Sequence, residues 1–251
     1  MKNVIIMCLV LLPSLLFGQV NQKDAKGRKQ GPWSKTYPRS KALEYQGQFK
    51  DDKPVGTFTY YYLNSKKKAI IVHEEGTDRS MATFYHETGG LMCKGIYRNL
   101  KKDSIWLNYT PSGRLSSSET YKNDLLDGKL ILYYLPEDVN DKSLKVSSTC
   151  MYAKGLREGE SLEYFFNGAI KAKGTFKNNK KNGVWETYHA NGQKMNLLRY
   201  KDGAQHGWCY AYSTAGKETS KQYYYYGRLL EGTELTEKMS QFKALGIDPN
   251  Q

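Results

Sequence analysis

The four histidines are the side chains best suited to acid–base or metal chemistry, and their spacing supports neither. No two of them form the HxH or HxxxH pair that directs two imidazoles at one metal ion. His86 and His189 each follow a recurring tyrosine, where a strand gives way to a turn. This repeated placement predicts a structural, solvated role for both.

Other motifs of catalysis are also missing from the sequence. It contains no Gly-x-Ser-x-Gly elbow, no Gly-Lys-Ser/Thr phosphate loop and no GxGxxG. The acidic pairs Asp51-Asp52 and Glu74-Glu75 lie in or near polar connections. The sequence therefore predicts a protein that is not an enzyme, with no catalytic residue, no metal and no cofactor.

The first eighteen residues are typical of a secretory signal peptide. Lys2 precedes an apolar run over residues 4–16, and Gly18-Gln19 supplies the small and polar end. The run is shorter than the ~20 apolar residues of a membrane span. The sequence predicts cleavage after Gly18, or after Gln19, and export to the periplasm, the cell surface or the medium.

Three cysteines follow this leader: Cys93, Cys150 and Cys209, spaced by 57 and 59 residues. Neither spacing fits a zinc motif or a CxxC pair. One disulfide with one free thiol fits the pattern, and so do three isolated buried cysteines.

The chain is a tandem repeat with a period of 24 residues, read from Gly183 to Gly207. Its 33 aromatic residues recur with this period and argue against an unfolded chain. The segment 21–30 resembles the second half of a leading unit, and about seven extra residues fall near 136–144. Eight units open at Gly31, Gly56, Ser80, Ser104, Gly128, Gly159, Gly183 and Gly207.

The residue pattern of each unit predicts a β-hairpin. Two aromatic-rich stretches flank a dipeptide such as Asn191-Gly192, which supplies the positive φ of a tight turn, while the aromatics favour strands. Eight hairpins give about sixteen antiparallel strands, or roughly 75 Å at ~4.8 Å per strand. The prediction is an all-β, elongated, twisted antiparallel sheet over residues 19–232, whose units contact mainly their neighbours.

The end of the chain, residues 233–251, has a different pattern. Leu235, Met239, Phe242 and Leu245 recur at helical spacing, and Gly246 follows as a stop. The sequence predicts a helix over 233–245 that caps the exposed edge of the sheet. Docking of this helix on a partner is the alternative.

The repeated pattern Gly-x-Trp-x-x-Tyr, Asn-Gly, Gly-x-Tyr/Phe-Lys resembles the MORN repeat variant over residues 21–232. The chain is similar to exported bacterial MORN-variant proteins that carry an antitoxin label. The resemblance implies a β-hairpin ribbon that contacts other molecules, and the label implies a toxin as partner. Two units depart from the pattern, with Ser65 for the turn glycine in one and the insertion in the other. The matching positions are Gly183, Trp185, Tyr188, Gly192, Tyr200, Lys201 and Gly207; Gly159, Tyr164, Gly168, Gly174, Phe176 and Lys177; and Trp106, Tyr109, Gly113, Tyr121 and Lys122.

The recurring aromatic residues form a predicted ladder along the sheet. They pack on one face of the sheet, or they contact a ligand, for example as a cage for choline-like cations. The ladder is Trp106, Tyr109, Tyr164, Trp185, Tyr188, Tyr200 and Tyr212. The turn glycines are Gly113, Gly168, Gly192 and Gly216, and backbone turns explain the periodic glycines.

The net charge of +13 has a repeated component. Arg98, Lys122, Lys177 and Lys201 share one repeat position and form a basic stripe. The stripe is a solvated row that guards a sheet edge, or it attracts an anionic surface. Nucleic acid is not an expected partner, because the chain has an export signal and no groove-reading helix.

Two hypotheses for function follow. The first is a non-catalytic scaffold that binds an unknown protein partner in the cell envelope, with an exported toxin as one candidate. The second is a module that binds anionic lipid or cell-surface glycan through the basic stripe and the aromatics.

Overall fold

The computed structural model describes residues 19–135, 141 and 143–250. Within them the chain forms one open antiparallel sheet followed by one helix, so the predicted all-β repeat architecture is confirmed. The predicted signal peptide lies outside the described residues. The strands are β1 (Gln22–Lys23), β2 (Lys29–Thr36), β3 (Leu43–Lys50), β4 (Lys53–Tyr61), β5 (Lys67–His73), β6 (Arg79–Tyr85), β7 (Leu91–Arg98), β8 (Lys101–Tyr109), β9 (Leu115–Lys122), β10 (Leu125–Tyr133), β11 (Val146–Ala153), β12 (Leu156–Tyr164), β13 (Ile170–Lys177), β14 (Lys180–Tyr188), β15 (Lys194–Lys201), β16 (Ala204–Gln205), β17 (Gly207–Tyr212), β18 (Glu218–Tyr225) and β19 (Arg228–Leu230).

Successive strands pair in chain order. The described residues give nineteen strands rather than sixteen because β1 and β19 extend the two ends and one strand is divided. The divided strand is β16 with β17, which both pair with β15 on either side of His206. The extra residues of the long unit lie between β10 and β11, where residues 136–140 and 142 are outside the described set.

Two kinds of turn alternate along the ribbon. Two-residue turns such as Asn178-Asn179 have positive φ at both residues, 49° and 66°, which matches the twist of a hairpin. Five-residue turns such as His189–Gln193 are closed by the His189 N–H, which donates to the Gln193 carbonyl at 2.8 Å. The two kinds occupy opposite edges of the sheet because neighbouring strands run in opposite directions.

The position of the tight turns differs from the sequence expectation. Asn191-Gly192 lies within a five-residue turn, where Gly192 has φ 85°, and the tightest turns are the polar dipeptides of the other edge. Gly113, Gly168 and Gly216 also have positive φ in such turns. Ser65 takes the same conformation, with φ 63°, in the unit that lacks the turn glycine.

Five of the residues that open units lie at β-bulges: Gly56, Ser104, Gly128, Gly159 and Gly183. Gly183 has φ 71°, and the pairing of β13 with β14 shifts between Thr175–Asn182 and Lys173–Glu186. Ser104 adopts φ 58° at the same point of its unit. A bulge changes the strand's local twist and register, so it also decides which side chains share a face.

The helix α1 (Gly232–Leu245) ends at Gly246, which has φ 62° and donates its N–H to the Lys243 carbonyl. Its buried Phe242 forms a cluster with Tyr223 and Leu230. The predicted helix therefore exists, and it covers a face of the last strands. Among the described residues, no helix combines the length and apolar character needed to cross a membrane.

The three described cysteines are free thiols. Cys93 lies in β7, Cys150 in β11 and Cys209 in β17. At ~4.8 Å per strand the nearest two are about 19 Å apart along the sheet, far beyond the reach of a disulfide. Of the two sequence interpretations, the one with isolated cysteines fits. Burial raises the pKa of all three thiols, which disfavours reactivity.

Candidate binding surface

The two faces of the sheet differ in what they present. Residues directly opposed on neighbouring strands share a face, and so do alternate residues of one strand. Following the pairs from strand to strand, and crossing the bulges by this alternation, gives one central row on each side. On the face that we call the ring face, the row is Trp33, Gly47, Phe58, Ile71, Ala82, Gly95, Trp106, Glu119, Leu130, Cys150, Ser161, Gly174, Trp185, Leu198, Cys209 and Gln222. On the open face it is Ser34, Gln46, Thr59, Ile70, Thr83, Lys94, Leu107, Ser118, Ile131, Thr149, Leu162, Lys173, Glu186, Leu197, Tyr210 and Lys221.

On the ring face, large aromatic rings pack directly against glycines in the middle of the preceding strand. A Cβ on Gly95 would lie 2.3 Å from the Trp106 ring, and one on Gly174 would lie 2.2 Å from the Trp185 ring. Each indole Nε1–H also donates to a carbonyl of the preceding strand, that of Ile96 or Thr175, at 3.1 Å. The glycine leaves the room that the ring fills.

The sequence interpretation of the glycines is therefore wrong at these positions. Gly47, Gly95 and Gly174 lie within strands β3, β7 and β13 rather than in turns. Their role is to let a ring approach the backbone closely. The sequence feature that indicates this role is a second glycine that recurs eleven residues before Phe58, Trp106 and Trp185.

Rings on neighbouring strands complete the packing. The Trp106 ring lies 4.9 Å from Tyr97, edge to face, and Trp185 lies 5.0 Å from Phe176. Trp106 has 0% of its surface exposed and Trp185 6%. The two tryptophans of the predicted ladder, with half-buried Tyr200 6.4 Å from Trp185, occupy a core built within a single sheet.

A recurring cation lies over these rings, and the sequence analysis missed it. Lys102 Nζ is 4.5 Å from the Trp106 centroid, and Lys181 Nζ is 4.3 Å from that of Trp185. Lys29 and Arg157 occupy the same repeat position, two residues before the residue that opens the unit, over Phe49 at 4.6 Å and over Phe176 at 4.1 Å. Such cation–π contacts cover the rings and neutralise little charge.

Four of the eight units depart from this arrangement. Ala82, Leu130, Ser161 and Cys209 stand where the other four units carry a ring, and Glu119 lies in the central row. The Glu119 carboxylate accepts hydrogen bonds from Ser117 Oγ at 2.9 Å and Tyr121 Oη at 2.7 Å. Burial raises the pKa of the Tyr121 hydroxyl, and the bond to Glu119 raises it further.

The remaining ladder tyrosines lie at the five-residue-turn edge. There the first residue of a turn reaches the last strand residue of the next unit: His189 Nε2 lies 2.9 Å from the Tyr212 carbonyl oxygen, and His86 Nε2 lies 3.2 Å from that of Tyr109. A carbonyl only accepts, so Nε2 carries the proton in each ring. Both histidines are half-buried links between units, a structural role without the solvation that the sequence suggested.

Hydroxyl groups make the same link in other units. Tyr62 Oη donates to the Tyr85 carbonyl at 2.7 Å, and Tyr134 Oη donates to that of Tyr164. Tyr188 instead donates its hydroxyl to Glu186 Oε2 at 2.9 Å. The ladder therefore divides into a buried set on the ring face and a set at the strand ends, of which Tyr109, Tyr164 and Tyr212 accept the bonds that connect the repeats.

The basic stripe lies at the two-residue-turn edge, where each of its members ends a strand. Arg98 pairs with Asp78 at 3.1 Å and lies 3.9 Å from Asp103. Lys201 is half-buried with Nζ 5.6 Å from the Tyr226 ring. Lys122 and Lys177 are exposed. The structure thus leaves the stripe discontinuous.

The open face exposes aliphatic side chains. Met81 is 45% exposed, Ile105 56% and Val184 46%. Each directly follows the residue that opens its unit. At the last unit the same position is Trp208, and there α1 covers the face. The open face is therefore apolar at this position in several units, with Lys129 and Glu160 in two others, and it is covered at one end.

An ion cluster interrupts the apolar character of the open face. Glu186 bonds to Lys173 Nζ at 2.8 Å, to Lys194 Nζ and to the Tyr188 hydroxyl. Burial by itself raises the pKa of Glu186, but these three donors outweigh burial and lower it to about 2. The same carboxylate raises the pKa of Lys173. Among the described residues, no group of three or more His, Cys, Asp or Glu side chains is arranged to hold a metal.

Two adjacent repeats match a family model described as the MORN repeat variant, over residues 157–178 and 181–202. Each matched segment begins at a ring-covering cation, Arg157 or Lys181. Repeats of this type are in general non-catalytic modules that bind proteins or membranes.

No curated protein matches the chain. A solved structure described as "Crystal Structure of TcdB2-TccC3-TEV" aligns with 76% of this chain at 13% identity, with a TM-score of 0.18. The chain spans about 15% of the length of that protein. An overlap at this level carries no argument about fold or function.

Proposed function

We propose that the protein is a non-catalytic repeat scaffold that binds a protein partner through its open face. One observation carries the proposal: Met81, Ile105 and Val184 are exposed on a face whose reverse side is filled by packed rings. Exposed apolar side chains that lie together, as Met81, Ile96 and Ile105 do on β6 to β8, mark a surface for contact with another macromolecule. The ring face, in contrast, uses its aromatics for its own packing.

The positions of the histidines support a role without catalysis. His86 and His189 place Nε2 against backbone carbonyls of the next unit, so these nitrogens hold the repeats together. A general base needs a nitrogen within reach of a substrate proton. In both histidines Nε2 instead bonds to a backbone carbonyl and links two repeats.

Contacts of the basic residues argue for a protein partner over an anionic surface. Lys102 and Lys181 lie over tryptophan rings, and Arg98 pairs with Asp78. Lys122 and Lys177 remain exposed at the edge. Binding to lipid or glycan through the stripe is the alternative that the experiment separates.

The proposal places this activity in the cell envelope, after cleavage of residues 1–18. An N-terminal sequence of the purified protein beginning at Gln19 or Val20 would support export, and retention of Met1 would contradict it. A cognate toxin is among the partners for which capture should be examined, because the resemblance implies one.

The test is affinity capture from a native envelope extract at low and high salt, with proteins identified by mass spectrometry and lipids analysed in parallel. We expect one protein to be retained at high salt, since apolar contacts are insensitive to screening. The matched variant Lys177→Glu with Lys201→Glu should capture it equally well. Retention of anionic lipid or glycan alone, lost in that variant, would contradict the proposal.

A further inference from the structure

One apolar region of the open face is covered by another element, and a second is not. At the C-terminal end, Trp208, Tyr223 and Leu230 lie on three successive strands beneath α1. The second region spans β4 to β8, and in the described residues no other element lies on it. We call it the β4–β8 patch, and it consists of Thr57, Thr59, Ile70, Val72, Met81, Thr83, Lys94, Ile96, Ile105 and Leu107.

Both regions use the same repeat positions. Met81 and Ile105 follow the residue that opens their unit, as Trp208 does. Val72 and Ile96 lie sixteen residues after the opening residue, as Tyr223 does. Val72, Met81 and Ile96 are directly opposed across three strands. The patch therefore presents to solvent the positions that hold a helix at the end of the same ribbon.

The spacing of the patch suits a helix that runs across the strands. Val72, Met81, Ile96 and Ile105 lie on successive strands, ~4.8 Å apart. An α-helix advances ~5.4 Å per turn, so one apolar side chain per turn meets about one strand. The C-terminal segment shows this arrangement: α1 starts beside β19, and the side chain of Asn250 accepts from the Trp208 N–H on β17.

The size of the patch favours a helix over a second copy of the sheet. Five strands at ~4.8 Å and two levels of side chains give an area of about 250 Å², whereas a stable interface buries about 800 Å² per partner. A single helix about 10 Å wide covers such a strip. Lys94 is the charged member of the patch and is exposed, which suits a helix with a carboxylate beside its apolar stripe.

We infer that the β4–β8 patch is the docking site for an amphipathic helix of the protein partner. This inference rests on the proposed function and specifies its partner: a helix with apolar side chains one turn apart and an acidic residue that reaches Lys94. Its apolar stripe packs on Val72, Met81, Ile96 and Ile105, as the stripe of α1 packs on the last strands.

The test uses a probe taken from the chain itself. A helix-stapled, fluorescent peptide with the sequence of residues 232–247 carries Leu235, Met239 and Phe242, and also Glu234 and Glu237. Its anisotropy is titrated with the purified full-length protein. We expect saturable binding that Met81→Asp or Ile105→Asp weakens about tenfold or more. Leu132→Asp, at an exposed apolar residue of the ring face outside the patch, should leave binding unchanged.

Several results would overturn the inference. They are a lack of saturable binding, equal binding by wild type and both patch variants, and equal weakening by Leu132→Asp. A peptide of residues 1–18 that binds the patch more tightly would identify the chain's own predicted leader as the occupant. A dimer that Met81→Asp dissociates would identify a second copy. If Met81→Asp still captures the envelope partner, the docking site is wrong while the scaffold function stands.

Discussion

Neighbouring residues of the same strand differ sharply in solvent exposure, because their side chains lie on opposite faces of the sheet. In β8, Trp106 is fully buried against Gly95 on the ring face, whereas Ile105 is 56% exposed on the open face. In β6, Ala82 is 2% exposed and Met81 45%. A single sheet can thus build its core on one side, provided that glycines let large rings lie on the backbone. The other side then remains for binding.

Shortening the rings should produce the largest effect on stability. Trp106→Ala removes a fully buried ring and its bond to the Ile96 carbonyl, so we expect a loss of about 3–5 kcal/mol in the free energy of unfolding. Ile105→Ala, on the adjacent residue, should cost about 0.5 kcal/mol or less. Urea unfolding followed by circular dichroism measures both, and similar losses would contradict the division between faces.

Adding a methyl group to a glycine beneath a ring tests the same packing from the neighbouring strand. In Gly174→Ala the new methyl displaces the Trp185 ring, and we expect a cost of about 1–3 kcal/mol. In a Trp185→Leu background the added methyl should cost less, because the ring that it meets is gone. A double-mutant cycle from chemical denaturation gives the coupling. Additive costs would show that the Trp185 ring does not pack on Gly174.

Acid should lower the free energy of unfolding through one carboxylate of the open face, that of Glu186. The folded pKa of Glu186 is about 2, below its ordinary value of 4.5, so its contribution is complete above pH 4.5. It is lost as the pH falls from there towards 2. Glu186→Gln should therefore flatten the decline of stability with falling pH in that window. Unfolding free energies at several pH values measure this, and an unchanged slope would contradict the assignment.

The smallest effect concerns a turn that lacks its glycine. Ser65 has φ 63°, a conformation that costs an L-residue about 1 kcal/mol or more. Ser65→Gly should stabilise the protein by about 0.5–1 kcal/mol, since it relieves this strain at some cost in chain entropy. Gly192→Ser, the reverse change in another unit, should destabilise it. Thermal melts of the two variants decide the sign.

The repeat period and residue types were enough to predict the strands, their antiparallel order and α1. They did not predict the faces. Gly183 and Ser104 shift the pairing register, and a shift of one residue exchanges the faces. Simple alternation therefore could not show that Trp106 and Ile96 lie on opposite sides. The role of Lys102 and Lys181 was not predicted, because these residues lie near the start of their strands, whereas the residues of the basic stripe each end a strand.

Hydroxyl-radical footprinting of the purified protein, alone and with its captured partner, tests the central claim most directly. We expect Met81 to oxidise readily in the free protein and to be protected in the complex. Trp106 and Trp185 should be unreactive in both, because their rings are packed within the sheet. Protection that appears at the ring face while Met81 remains reactive would contradict the account.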